Sequence, residues 1–172
     1  LTASQLADVV AFVQANQNPP KQFDGNKPTV QSFVDGAIRL TASVAEIYGP
    51  TVVYESRFKN IGFWQNLDDR VIWTALIPTE GEYDIYMDWA VDNGAANQGF
   101  ICVLGDKMIK GRVEGTGTWE DYQQKKIGTV ELSAGLTRVM FRADEGLQGF
   151  LIDLREICLV PAGMEPPKGL GK

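Results

Sequence analysis

The sequence predicts an all-β sandwich or barrel, and two observations carry that prediction. The first is a succession of short alternating or apolar runs separated by Gly, Pro, Asp and Asn. They lie near 38–43, 51–57, 70–77, 82–91, 99–105, 107–114, 125–132, 136–143 and 150–160. Regular short strands with turn chemistry between them mark this class. The second is a strict period of two in the 82–91 run. Tyr83, Ile85, Met87, Trp89 and Val91 share one face, and Asp84, Tyr86 and Asp88 the other. The 18 Gly and 8 Pro fit a chain with many turns. At 172 residues it has room for one domain with appendages, and for a core that needs neither disulfides nor metals.

Charge and composition exclude several function classes. A net charge of −6 without any basic run argues against nucleic acid and anionic membranes as partners. No apolar stretch approaches the length needed to cross a bilayer. There is no histidine, which removes Ser-His and Cys-His nucleophile pairs and every His-based metal site. Cys102 and Cys158 sit in apolar strand-like runs and read as small core residues, with a disulfide between them left open. The chain starts at Leu1 without Met, which reads as a piece excised from a larger protein.

Residues 2–15 read as an amphipathic helix. Thr2 and Gln5 have capping-box spacing, while Leu6, Val9, Val10 and Val13 fall on one face, expected to pack on a neighbouring domain. Its Leu-Thr-Ala-Ser-Gln-Leu-Ala-Asp-Val-Val-Ala-Phe-Val segment resembles the last helix of a small c-type cytochrome, although the chain has no Cys-x-x-Cys-His for haem. Residues 16–36 are rich in Asn, Gln, Pro, Lys and Gly and read as a linker. The expected organisation is an N-terminal helix and linker at 1–36, a β-sandwich at 37–161, and a loose Pro- and Gly-rich tail at 162–172.

Two of the four tryptophans, Trp73 and Trp89, lie on apolar strand faces and are expected in the core. The other two, Trp64 and Trp119, occur in turn-rich stretches. A Trp on a loop leaves a large apolar face in water, and two of them suggest a platform for a flat, weakly apolar ligand. A sugar ring fits, because its axial C–H bonds form an apolar face while its hydroxyls need amides and carboxylates at the edge. Gln65, Asn66, Asp68, Asn97, Gln98, Glu120 and Gln148 are the candidates. The alternative is that both indoles cap the ends of the core. The pairs Asp68-Asp69, Asp88 with Asp92, and Glu120-Asp121 read as solvated loop, turn or cap acids. Nothing in the sequence holds one of them protonated for glycoside hydrolysis. No Asp-x-Asp-x-Asp-Gly calcium loop occurs, and the Gly-Thr-Gly of 115–117 lacks the context of a phosphate loop.

Four stretches together resemble carbohydrate-binding modules of families 6 and 35. They are Leu40-Thr-Ala-Ser-Val-Ala-Glu, Gly62-Phe-Trp-Gln-Asn-Leu-Asp-Asp-Arg-Val-Ile-Trp, Gly81-Glu-Tyr-Asp-Ile-Tyr-Met-Asp-Trp-Ala, and Thr116-Gly-Thr-Trp with the later Val130-Glu-Leu-Ser-Ala-Gly-Leu-Thr-Arg-Val. The resemblance implies a galactose-binding-like jelly-roll sandwich and a non-catalytic, saccharide-binding role in a larger periplasmic or extracellular protein. Its partners would be an oligo- or polysaccharide and the other domains of the parent chain. Carried over by motif, the two stacking aromatics are Trp64 and Trp119. Gln65, Asn66, Asp68 and Gln148 complete the expected ligand set, with no catalytic residue and no protein-bound metal. Two positions depart from the family pattern. No Asn occurs at 149–151, where a ligand-binding Asn is expected, and Ser43 stands where an acid often holds a structural calcium. No cofactor is therefore expected, a calcium ion being the open case. The rival readings are a structural or interaction domain attached to a c-type cytochrome, and a glycoside hydrolase component.

Overall fold

The computed structural model describes residues 2–9 and 18–170. Among these residues, eleven strands form two antiparallel sheets packed face to face. In chain order they are β1 (Ile38–Thr41), β2 (Glu46–Tyr48), β3 (Val53–Glu55), β4 (Asn60–Gly62), β5 (Arg70–Ile77) and β6 (Gly81–Ala90). They continue as β7 (Gly99–Leu104), β8 (Lys107–Arg112), β9 (Gln123–Leu132), β10 (Gly135–Ala143) and β11 (Asp153–Pro161). One sheet runs β3-β4-β11-β6-β9, with β1 also on β11; the other runs β2-β5-β10-β7-β8. The expected all-β jelly-roll sandwich is what the chain forms. β2 and β4 are absent from the sequence reading because each is three residues long, too short for a period of two to show.

Alternation places the core between the sheets. From β5 come Val71, Trp73, Ala75 and Ile77; from β6 Tyr83, Ile85, Met87 and Trp89; from β10 Val139, Phe141 and Ala143. Burying such a layer from both sheets is the main source of stability in a sandwich. The core indoles also satisfy their N–H groups, Trp73 Nε1 donating to Thr41 O at 2.8 Å and Trp89 Nε1 to Glu114 O at 2.9 Å. Cys102 faces this core from β7, while Cys158 faces outward from β11 beside Ala37 and Val160. Both thiols are free and buried, and burial pushes each up to about 12. The disulfide left open above does not form.

The flanking segments are tied to the sandwich. A short helix, α1 (3–9), starts with the expected capping box: Thr2 N donates to Gln5 Oε1 at 2.8 Å and Gln5 N to Thr2 Oγ1 at 3.1 Å. Its Ser4 and Asp8 side lies over the outer face of the five-stranded sheet, near Met108 and Arg142. Leu6 and Val9 point to solvent. The remainder of the expected helix, with Val10 and Val13, falls outside the described residues. The stretch read as a linker runs along the sandwich edge, donating from Lys21 N to Ile47 O, Lys27 N to Ser43 O and Gln31 N to Thr74 O at 2.7–2.9 Å. The segment read as a loose tail is held on the outer face of the six-stranded sheet. There Gly163 N and Leu170 N donate to Asp84 and Asp88, each at 3.1 Å.

Candidate functional site

The site lies at the end of the six-stranded sheet where β4 and β6 finish and β9 and β11 begin. Its decisive local feature is Phe63, immediately after β4, with φ +61°. A left-handed residue breaks the alternation of a strand. Phe63 therefore turns outward, 48% exposed, and Trp64 turns inward, fully buried. Trp64 packs edge-on against Phe141 at 5.7 Å, and its Nε1 donates to Ile61 O at 2.9 Å. Trp64, expected from the sequence to face a ligand, is enclosed in the core, and the exposed loop aromatic is its neighbour Phe63.

Trp119 stands where the sequence suggested, half-buried at a cleft. Its loop is held from both ends. Thr116 Oγ1 accepts from Val91 N at 2.9 Å, and Thr118 donates to Asp121 Oδ2 from its N at 3.2 Å and its Oγ1 at 2.9 Å. Gly117, at φ +115°, lets the chain turn and donates its N–H to Asn93 Oδ1 at 3.1 Å. Phe150, on the loop before β11, completes the aromatic wall. Its ring centroid is 6.2 Å from that of Phe63 and 6.1 Å from that of Trp119, both edge-on. Leu151 N donates to Trp64 O at 3.1 Å, which locks the two loops together.

Below the rings, three adjacent strands present polar groups on one face: Glu55 from β3, Asn60 and Gly62 from β4, and Asp153 from β11. Gly62 lets the two acids close over it, since a Cβ there would lie 2.5 Å from Glu55 Oε2 and 2.7 Å from Asp153 Oδ1. Asn60 Nδ2 donates to Glu55 Oε2 at 2.9 Å. Burial, and then the charge of Glu55, push the Asp153 carboxyl up to about 7, against the opposing Asn60 hydrogen bond and Arg155. Arg155 sits at a β-bulge of β11, donates from Nε to Phe58 O at 2.9 Å, and lies on the Tyr122 ring at 3.4 Å. Glu55, Phe63, Trp119, Phe150 and Asp153 line a cavity of about 200 Å³. It opens into a groove of about 490 Å³ that runs past Trp119 to Tyr122 and Arg155.

Glu120 lines the groove beside Trp119, and the other nominated residues lie elsewhere. Gln65 N and Asn66 N donate to the buried Asp69 carboxylate at 3.2 and 3.0 Å, while Asn66 Oδ1 accepts from Asp68 N at 2.9 Å. Asp68 lines a separate pocket with Lys21, Tyr48 and Arg70. Gln148 meets Gln98, whose Oε1 accepts its N–H at 3.0 Å, and neither lines the aromatic cavity. Of the six nominated ligand residues, only Trp119 does. Asp69, Asp88 and Asp121 each hold backbone N–H groups. Glu55 and Asp153 are the carboxylates that converge, and the sequence reading did not pair them. An acid directly after the apolar Phe150-Leu151-Ile152, at the start of β11, was the one visible signal. Among the described residues, no three His, Cys, Asp or Glu side chains gather to hold a metal, and no helix is long and apolar enough to cross a membrane.

Comparison with solved structures identifies the architecture. A family 35 carbohydrate-binding module from Clostridium thermocellum superposes with a TM-score of 0.62 at 15% identity, over 73% of this chain and 98% of that one. The chain has the fold of these modules. A family 35 module from Cellvibrio japonicus matches with a TM-score of 0.59 at 18% identity, over 79% of this chain and 99% of that one. The C-terminal family 6 module of a Zobellia galactanivorans laminarinase matches with a TM-score of 0.57 at 21% identity, over 72% and 98%. No protein-family profile matches the sequence, and no curated protein matches it.

Proposed function

We propose that the chain is a non-catalytic saccharide-binding module, and that the cleft between Phe63, Trp119 and Phe150 is its ligand site. The observation that carries this reading is the convergence of three rings from three loops on one cavity, each held by the hydrogen bonds described above. Phe63 and Phe150 remain 48% and 40% exposed there. Rigid loops that keep apolar faces in water do so at a cost in solubility, which a ligand with apolar C–H faces offsets. The open groove past Trp119 leaves room for more than one sugar unit, so an oligo- or polysaccharide is the fitting class. Hydroxyl desolvation holds the affinity to a modest value. Residues 37–161 form the module proper; α1, with Leu6 and Val9 facing outward, supports its being joined to further domains of an exported protein.

A glycan-array or polysaccharide retention screen of wild type against Phe63→Ala, Trp119→Ala and Phe150→Ala tests the reading. Retention of some glycan by wild type, and its loss in each variant, is the expected result. Binding that survives all three substitutions places the ligand elsewhere.

The glycoside hydrolase reading has one observation in its favour, a pair of carboxyls with Asp153 near neutrality. Glu55 and Asp153, however, stand side by side on one wall over Gly62 and do not flank the cleft. An acid and its partner carboxylate must act from two sides of a glycosidic bond. No release of reducing sugar from any retained glycan is expected.

A further inference from the structure

The calcium ion that the family pattern would place beside residue 43 does not fit the groups this chain supplies there. Ser43 belongs to a single turn of 3-10 helix, Ala42–Val44, between β1 and β2. Its hydroxyl shares a hydrogen bond with Thr41 Oγ1 at 3.1 Å. The acids that adjoin the turn are both held by arginines. Glu46, which opens β2, is paired with Arg138. Glu156, opposite Thr41 on β11, accepts from Arg39 Nε at 2.8 Å and Nη2 at 3.1 Å. Calcium takes about six to eight oxygen ligands, and carboxylates among them offset its charge. Hydroxyls bonded to each other and acids bound by guanidinium groups do not make that set.

What the turn does offer is three carbonyl oxygens aimed at one point. Asn26 Nδ2 stands at that point and donates to Ala45 O at 2.9 Å, Ser43 O at 3.2 Å and Ala42 O at 3.3 Å. The other amide atom, Asn26 Oδ1, is buried with no partner among the described residues. The three carbonyls explain why the side chain accepts that loss. The flipped amide would set a fourth oxygen against them and leave its N–H groups without acceptors. The chain delivers Asn26 through a tight turn in which Asn26 N donates to Phe23 O at 3.1 Å and Gly25 takes φ +75°. Phe23 packs against the sandwich core, and Lys27 N donates to Ser43 O at 2.7 Å. Backbone and side chain of the same segment therefore grip the 42–45 turn together.

We infer that the Asn26 side-chain amide takes the place of a structural cation at this turn. The module then needs no calcium, and the segment preceding it, which reads as a linker in the sequence, supplies the substitute. A cation gathers carbonyl oxygens by its charge. The amide gathers the same oxygens with two N–H groups and brings no charge for carboxylates to balance. The point keeps the donor arrangement of a cation site, and a carboxylate at residue 26 would convert it into one.

Thermal unfolding at pH 7 in EDTA and in millimolar calcium chloride tests this. Wild type should unfold within about 1 °C of the same temperature in both, because a protein that binds no calcium gains nothing from it. Asn26→Ala should lower Tm by about 3–8 °C in both, the loss expected when carbonyls give up a shared donor. Asn26→Asp should fall at least as far in EDTA, since its carboxylate faces three oxygens. Calcium should return half or more of that loss and return none to Asn26→Ala. A wild-type Tm that rises with calcium overturns the inference, and this arm stands even where a variant does not fold. Asn26→Asp as stable as wild type in EDTA overturns it too, as does an Asn26→Asp protein whose Tm calcium leaves unchanged.

Discussion

Replacing Asp153 by Asn should stabilise the protein above neutral pH and leave it little changed in acid. The folded state raises this carboxyl from 3.8 to about 7, first through burial and then through Glu55. Between roughly those two values the native state holds a proton that the unfolded chain has released. Stability therefore falls as pH climbs through that window. Below it both states are protonated and the penalty vanishes; above about 7 the penalty is complete. The full rise sets an upper bound of about 4 kcal/mol. Solvent entering the open cleft, and the neighbouring guanidinium, reduce this to roughly 1–2 kcal/mol. For a chain of this size that is a gain of about 2–8 °C in Tm. Asn keeps an oxygen to accept from Asn60, so the substitution removes charge with little loss of packing. Thermal unfolding of both proteins at pH 4, 6 and 8 is the assay, and the variant's advantage should grow across the series. Glu55→Gln should show the same trend, and the double variant less than the sum, because each substitution removes the same repulsion. An advantage that does not change with pH, or a loss of stability at pH 8, would refute the account of the carboxylate pair.

Trp64→Ala should cost about 3–5 kcal/mol, as for other buried aromatics, whereas Trp119→Ala should be milder; urea denaturation separates them. Phe63→Gly should hold or slightly raise stability by relieving the left-handed backbone while losing ligand retention, a separation that Phe63→Ala cannot show. Asp69→Ala should cost about 2–4 kcal/mol, because the N–H groups of Thr51, Val52, Gln65 and Asn66 lose the buried carboxylate that accepts from all four. Asp84 is held down to about 2 by Lys126 and Thr129, so its contribution is present above the ordinary carboxylate range and is lost as pH falls through about 2. Asp84→Asn should accordingly flatten the acid limb of the stability profile, read by circular dichroism between pH 5 and 2.

The sequence by itself determined the sandwich. A period of two along β5, β6 and β10, with turn residues between, leaves few ways to bury one face of each strand. It also determined Trp73 and Trp89 as core, the capping box of α1, and Trp119 as a loop aromatic. What it did not determine were features that depend on a single dihedral or on distant partners. Phe63 and Trp64 are adjacent aromatics of similar size, and only the φ of Phe63 decides which faces water; that angle is set by the locked loops around it, through Leu151 N on Trp64 O and the Asp69 staple. Cys102 and Cys158 look alike in sequence but end on opposite faces of different sheets. The segments at 18–36 and 162–170 are polar and Pro-rich, and the ties described above are donated by their backbone N–H groups, which no side-chain pattern within those segments records. Glu55 and Asp153 meet only because β3 and β11 flank β4 over a glycine. Their shared charge, the most specific feature of the cleft, is therefore a property of the strand order, while each acid alone is unremarkable in the sequence.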